Sequence, residues 1–304
     1  MARPAVILVG ADKGGVGKTT VSRTLLDYFG AHQTPTRAFD TESPRGTLKR
    51  FHPEHTEVVD VTSVTDQMKI FDTLGSADAK VTIIDTRAGL LSSTLQALGE
   101  IGFIESAKKG QITFAVFHIL GPSIASLEEI AETARVIGDA NYFLVKNFIN
   151  NTTFFEWDPA TYNSYFKKIK GAEEITIPKL NEMAYEQVEV ASVPFVSFVG
   201  NKGAKGEAAN NSFVLRGYVR HWLGNVWSEY DRVKLIDMNV NAKPQRSFKL
   251  EPVHPKPEEA HTMTTGVTVE HGLIANRPTS PSHWRLSRRC HRQSRHILPA
   301  LCRV

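Results

Sequence analysis

The stretch Val6-Ile7-Leu8-Val9-Gly10-Ala11-Asp12-Lys13-Gly14-Gly15-Val16-Gly17-Lys18-Thr19-Thr20 decides the fold. Its first four residues read as a buried strand, and the run from Thr19 to Phe29 reads as a helix. Strand, glycine-rich turn and helix together are the context of a phosphate-binding loop. Gly14, Gly15 and Gly17 let backbone N–H groups close around phosphate oxygens with no Cβ in the way. Lys18 adds a cation at the terminal phosphates, and the Thr19 hydroxyl is placed to ligate Mg2+. The helix that follows points its positive end at the same anion. With Val16 and Thr20 completing the turn, residues 14–20 form the candidate nucleotide-binding set.

Outward from this loop, short apolar runs alternate with helical patterns, which predicts an α/β fold. The expected architecture is a mainly parallel twisted sheet with helices on both faces. Strands are expected at 5–10, 36–40, 57–61, 80–85, 111–118, 141–148, 174–177 and 194–198. Helices are expected at 18–29, 64–75, 90–108, 123–138, 159–169, 181–191 and 208–235. Asp85 ends the apolar strand Val81-Thr82-Ile83-Ile84, so it belongs on the ligand side of a parallel sheet, where it can hold Mg2+ through water. The last helix sets Val219, Trp222, Leu223, Val226 and Tyr230 at core-docking spacing; a membrane or partner face is the alternative.

Composition narrows the class. A chain of 304 residues with 41% hydrophobic content can bury a sizeable core. There is no 18-residue apolar stretch, no signal-peptide pattern, and only Cys290 and Cys302 as cysteines, which points to a cytosolic (cytoplasmic) protein. The net charge of +4 hides an asymmetry. Residues 271–304 hold seven arginines and no acid, leaving 29 basic and 32 acidic side chains on residues 1–270. From about residue 240 prolines recur and no period holds, so 1–239 is expected to be the folded domain and 240–304 a proline-rich linker and basic, disordered tail.

One detail makes the loop more specific. Asp12 stands where the common motif G-x-x-x-x-G-K-[ST] has its first glycine, and a second lysine, Lys13, sits just inside the loop. The pattern Lys13-Gly14-Gly15-Val16-Gly17-Lys18-Thr19-Thr20 resembles the deviant Walker A loop of the ParA/MinD family of P-loop ATPases, and is closer to the ParA-like partition proteins. The resemblance covers about residues 4–235. It implies an ATP-dependent homodimer in which Lys13 reaches the partner's nucleotide, with ATP and Mg2+ as cofactors and slow, partner-stimulated hydrolysis.

Within that resemblance, Phe39-Asp40-Thr41-Glu42-Ser43-Pro44-Arg45-Gly46 matches the segment D-x-D-P-Q-G. Asp40 takes the position that supports Mg2+, and Glu42 the position that orients the attacking water. Asp85-Thr86-Arg87-Ala88-Gly89 matches D-T-P-P-G or D-T-P-A-G, with Arg87 in place of proline. Asn147 corresponds to an asparagine that hydrogen-bonds the adenine edge, and Pro178 to an I-P pattern lining the base. A plain turn asparagine is the alternative for Asn147. The body has no cysteine, which excludes a shared iron–sulfur cluster.

The implied partners are non-specific DNA and a hydrolysis-stimulating protein, for moving plasmids or other cargo. Arg216, Arg220, Arg232 and Lys234 are candidate phosphate contacts, or a solvated helix face. A MinD-like membrane attachment fits the tail less well, because Pro299 breaks it. A third class is an adaptor in conjugation or plasmid stability that binds nucleotide with little turnover.

Overall fold

The computed structural model describes residues 3–239 apart from 139, 150, 168 and 170. The chain separates into Met1–Val253 and His254–Val304, and every described residue lies in the first. The expectations for 240–304 therefore lie outside the described residues.

The elements in chain order begin β1 Ala5–Gly10, α1 Lys18–Ala31, β2 Thr36–Asp40, α2 Thr47–Phe51, β3 Thr56–Val58 and α3 Val64–Phe71. Next come β4 Val81–Asp85, α4 Leu91–Glu100, α5 Phe103–Lys108, β5 Thr113–Ile119, α6 Ile124–Ile137 and β6 Asn141–Asn147. The last are α7 Pro159–Tyr165, β7 Ala172–Ile177, α8 Glu182–Ala191, α9 Phe195–Val199 and α10 Phe213–Arg232, followed by a 3-10 turn at Leu235–Asn239. Among the described residues the seven strands form one sheet in the order β3-β2-β4-β1-β5-β6-β7, and every neighbouring pair is parallel. Parallel neighbours need crossovers, and the helices that supply them cover both faces.

Alternation along the central strand assigns the faces. Ala5, Ile7 and Val9 pack with α1, α8, α9 and α10, whereas Val6 and Leu8 pack with the helices of the opposite face. Both sets are essentially fully buried, each valine, isoleucine or leucine side chain contributing about 1.5–3 kcal/mol. In α10, Val219, Trp222, Leu223, Val226 and Tyr230 are buried at the expected spacing, so this helix docks on the core. Tyr230 also meets the Thr24 hydroxyl at 2.7 Å, tying α10 to α1.

Several expected elements differ from the observed ones. Residues 194–198, expected as a strand, form helix α9: Phe195 and Phe198, three apart, are both fully buried on one side. A short apolar run does not distinguish strand from helix by period alone, and the preceding Pro194 suits a helix start. The helix expected at 90–108 breaks at Gly102, whose φ of 73° is outside the helical region. The helix expected at 208–235 begins only at Phe213, where the Ser212 hydroxyl accepts the Leu215 N–H. Helix α2 was not expected, and it turns out to matter for the site.

Candidate nucleotide site

The glycine loop joins the carboxyl end of β1 to the start of α1. Gly17 sits at φ 88°, and a Cβ there would lie 2.2 Å from Asn147 Nδ2. Only glycine meets both demands. Asn147, at the end of β6, donates to the Val16 carbonyl at 3.0 Å and accepts the Ile149 N–H at 3.2 Å. It thus clamps the loop from a distant strand, and its side chain is committed to backbone. Lys18 arches back to donate to the Lys13 carbonyl at 3.2 Å. Burial holds its pKa below the usual value, opposed by the charges of Asp85, Glu42 and Asp12.

The Thr19 hydroxyl donates to Asp85 Oδ2 at 2.8 Å. Asp85 is 3% exposed, and its Oδ1 is buried with no hydrogen-bond partner. Burial, reinforced by the charge of Asp40, raises the Asp85 pKa to about 7; the Thr19 and Ser22 hydroxyls and Lys18 act the other way. A buried carboxylate oxygen without a partner, beside a threonine hydroxyl, is a donor set that suits a divalent cation. Mg2+ commonly takes one or two protein oxygens and completes its shell with water and phosphate. Among the described residues, no group of three His, Cys, Asp or Glu side chains is placed to hold a metal without such help.

Three helix starts around the loop are treated differently. Asp40 Oδ1 accepts the Glu42 N–H at 2.9 Å, and its Oδ2 accepts from Leu48 at 2.6 Å and Lys49 at 3.3 Å, closing the first turn of α2. Asp12 accepts the Ser92 N–H at 3.2 Å and the Ser92 hydroxyl at the start of α4. Asp12 therefore has a definite task at the position where the common motif has glycine. Helix α1, by contrast, has no side-chain cap, so its first N–H groups stay open to an anion. Asp40 is 1% exposed and burial raises its pKa, partly offset by the N–H groups it accepts. It anchors loop 41–46 and bears on a cation through its charge rather than through an uncommitted oxygen.

Loop 41–46 is held on its other side too. Thr41 donates its N–H to the Asp85 carbonyl at 3.0 Å, and its hydroxyl accepts the Arg87 N–H at 2.8 Å. A proline at 87 could not make that second bond. The Glu42 carboxylate is exposed and accepts the Thr47 hydroxyl.

These side chains enclose two cavities that share Thr20, Ile149 and Tyr185. One, of about 380 Å³, brings together Gly15, Gly17, Lys18, Thr19, Thr20, Asp40, Glu42 and Asp85. The other, of about 170 Å³, is lined by Asn147, Pro178, Tyr185 and Trp222 among others, and Trp222 Nε1 donates to the Pro178 carbonyl at 2.6 Å. Lys13, Gly14 and Val16 line neither cavity. The Lys13 side chain is exposed and lies against the loop after β5, its Cδ 2.9 Å from where a Cβ on Gly121 would stand.

The chain has an α/β fold in which a parallel sheet carries a glycine-rich loop between its central strand and the first helix. No protein-family model matches it, and no curated protein matches its sequence. Among solved structures it is similar to a nucleotide-binding protein of Archaeoglobus fulgidus in complex with ADP, at 15% identity and a TM-score of 0.42, over 61% of this chain and 85% of that one. It is similar to the MinD cell division protein of Aquifex aeolicus, at 13% identity and a TM-score of 0.43, over 73% and 97%. It is also similar to the 54 kDa signal recognition particle protein of Aeropyrum pernix in complex with GDP, at 17% identity and a TM-score of 0.36, over 78% and 50%. Likeness this distant says nothing of the chemistry of this chain.

Behind the cavities lies a polar cluster that no local motif announces. Arg23 of α1, 1% exposed, bonds Glu189 of α8 at 2.7 Å and lies between the rings of Phe51 and Phe195 at 3.4 and 4.1 Å. Arg50 of α2 meets the other Glu189 oxygen at 2.5 Å. Glu189 thereby joins the helix of the glycine loop, the helix after loop 41–46, and the helix carrying Tyr185. Nearby Asp27 is fully buried, which raises its pKa to about 7, and burial lowers that of its neighbour His52 to about 3.

Proposed function

We propose that this chain is a ParA/MinD-type ATPase that uses Mg-dependent ATP hydrolysis as a switch. The observation that carries the reading is the meeting of Thr19 and Asp85 beneath the glycine loop, with an unpartnered Asp85 oxygen and an uncapped α1. In this reading Thr19 and Asp85 hold Mg2+, which offsets phosphate charge. The loop N–H groups and Lys18 bind the phosphates, and the smaller cavity takes the base, with Pro178 in its wall and Asn147 fixing the loop's edge.

Hydrolysis follows from positioning. A water oxygen attacks the terminal phosphorus, the bond from that phosphorus to the bridging oxygen breaks, and ADP leaves with the bond's electron pair. Glu42 accepts a hydrogen bond from the water and orients it, while the water's proton passes to the phosphate product. Lys18 stabilises the charge that develops on the oxygens in transit. Glu42 also accepts the Thr47 hydroxyl, so it shares its carboxylate between that contact and the water, which fits slow turnover that a partner protein stimulates.

Lys13 lies outside both cavities, as suits a residue that serves a second copy of the chain in an ATP-dependent homodimer. The finer, ParA-like reading adds non-specific DNA as the surface bound, supported by the basic stretch 271–304 and by the exposed Arg220. Among the described residues no helix is long and apolar enough to cross a membrane. Steady phosphate release that Lys18→Ala abolishes is the expected result. No release from the wild type, with or without DNA, would overturn the ATPase reading.

A further inference from the structure

Apart from the Mg2+ and loop N–H groups assigned to it, the 380 Å³ cavity is short of positive side chains for its task. Three carboxylates, Asp40, Glu42 and Asp85, face it against Lys18, and a triphosphate would bring several more negative charges. The other basic residue in its wall is Arg87.

The backbone of Arg87 is fixed on both sides. Thr86 bonds the Val9 carbonyl through its N–H at 2.9 Å and its hydroxyl at 3.0 Å; Arg87 itself gives its N–H to Thr41, and its carbonyl accepts the Leu90 N–H at 3.2 Å. The next residue, Ala88, stands directly opposite the glycine loop, its Cβ 3.6 Å from where a Cβ on Gly14 would be. The side chain of Arg87 is exposed, and its guanidinium makes no hydrogen bond or ion pair among the described residues. Arg23, Arg37, Arg50 and Arg232 of the same domain are all engaged by named partners. A planar guanidinium presents paired N–H groups that match phosphate oxygens in a fork, which an ammonium cannot do.

We propose that the Arg87 guanidinium binds the terminal phosphate of a bound nucleoside triphosphate, as a second cation supplied by the same chain. The inference rests on the reading of this cavity as a triphosphate site. Thr41 is its positioning residue: by accepting the Arg87 N–H it lets an arginine stand where a proline would carry neither donor nor charge. The site then tells triphosphate from diphosphate partly without a second protomer, leaving Lys13 to act only when two copies meet.

The test compares affinity for a slowly hydrolysed ATP analogue and for ADP, both with Mg2+, in the wild type, Arg87→Ala, Arg87→Lys and Arg45→Ala. Arg45 is an exposed arginine of the neighbouring loop and controls for general charge. The expected result is a loss of about 10- to 100-fold for the analogue in Arg87→Ala, as for a charge-assisted contact. ADP binding should stay within about twofold, Arg87→Lys should recover part of the loss, and Arg45→Ala should bind both as the wild type does. Equal losses for analogue and ADP, an unchanged preference, or the same loss in Arg45→Ala would overturn the proposal. A wild type that binds neither nucleotide would instead overturn the reading of the cavity.

Discussion

In the proposed reading this cleft has a phosphate side and a base side, and the two are built in opposite ways. The phosphate side is local: Gly15, Gly17, Lys18, Thr19 and Thr20 come from one loop and the helix it opens, while Asp40 and Asp85 end the paired strands β2 and β4 and Glu42 follows β2. The base side is assembled across the chain, with Asn147 from β6, Pro178 after β7, Tyr185 from α8 and Trp222 from α10. The contrast teaches that binding charge needs a few backbone N–H groups in sequence, whereas shaping a pocket for a flat ring needs packed helices. The Glu189 cluster joins the two halves, because α1 and α2 hold the first and α8 walls the second.

That contrast can be broken at either end. Lys18→Ala removes the phosphate-side cation and is expected to weaken ATP binding by about 100-fold, roughly 2.7 kcal/mol. Adenosine affinity, measured by the same calorimetry, should not move; if it falls equally, the two sides are not separate. Glu189→Gln tests the joint between them. It takes the charge from beside the buried Arg23 and should cost about 2–3 kcal/mol in denaturant unfolding, at the low end for a buried pair because Glu189 is partly exposed. Arg50→Ala, which leaves Arg23 paired, should cost less than about 1 kcal/mol.

A pH series reads the packing of α1 against α9, where Asp27 accepts the Val196 N–H at 3.3 Å. Its folded pKa of about 7 lies above the unfolded value, so the folded state binds the proton more tightly. The stability this gives is present below about pH 4 and is lost as pH rises towards 7, when the carboxylate ionises in its buried place. His52 has the opposite sign below about pH 6.5, so the two effects separate only above that pH. The unfolding free energy of Asp27→Asn should therefore rise relative to that of the wild type between pH 6.5 and 8, by about 0.8 kcal/mol. A constant difference would mean that Asp27 does not ionise in this range. The smallest effect on binding is expected from Trp222→Phe, which removes the donor to the Pro178 carbonyl and should cost about 1 kcal/mol of affinity for adenosine and ATP alike. An effect on ATP alone would place Trp222 with the phosphates.

The same contrast explains what could be read from the sequence. The places of the glycine loop, Asp40 and Asp85 were legible because they follow strand ends or a contiguous pattern. Arg87 was legible only as a departure, since its partner Thr41 lies 46 positions earlier. Tyr185 and Trp222 sit on helices whose apolar spacing looks the same whether a face covers core or lines a cavity. Helix α9 was read as a strand because five residues carry too little period. The Arg23 and Glu189 pair left no trace, being 166 residues apart with nothing local to join them.

Calorimetric titration of a slowly hydrolysed ATP analogue into the wild type and Asp85→Asn, each with and without Mg2+, tests the Thr19 and Asp85 site most directly. The wild type should bind more tightly with Mg2+, while Asp85→Asn should retain the magnesium-free affinity and lose the gain from the ion. An Asp85→Asn protein with the full magnesium effect, or a wild type with none, would contradict it.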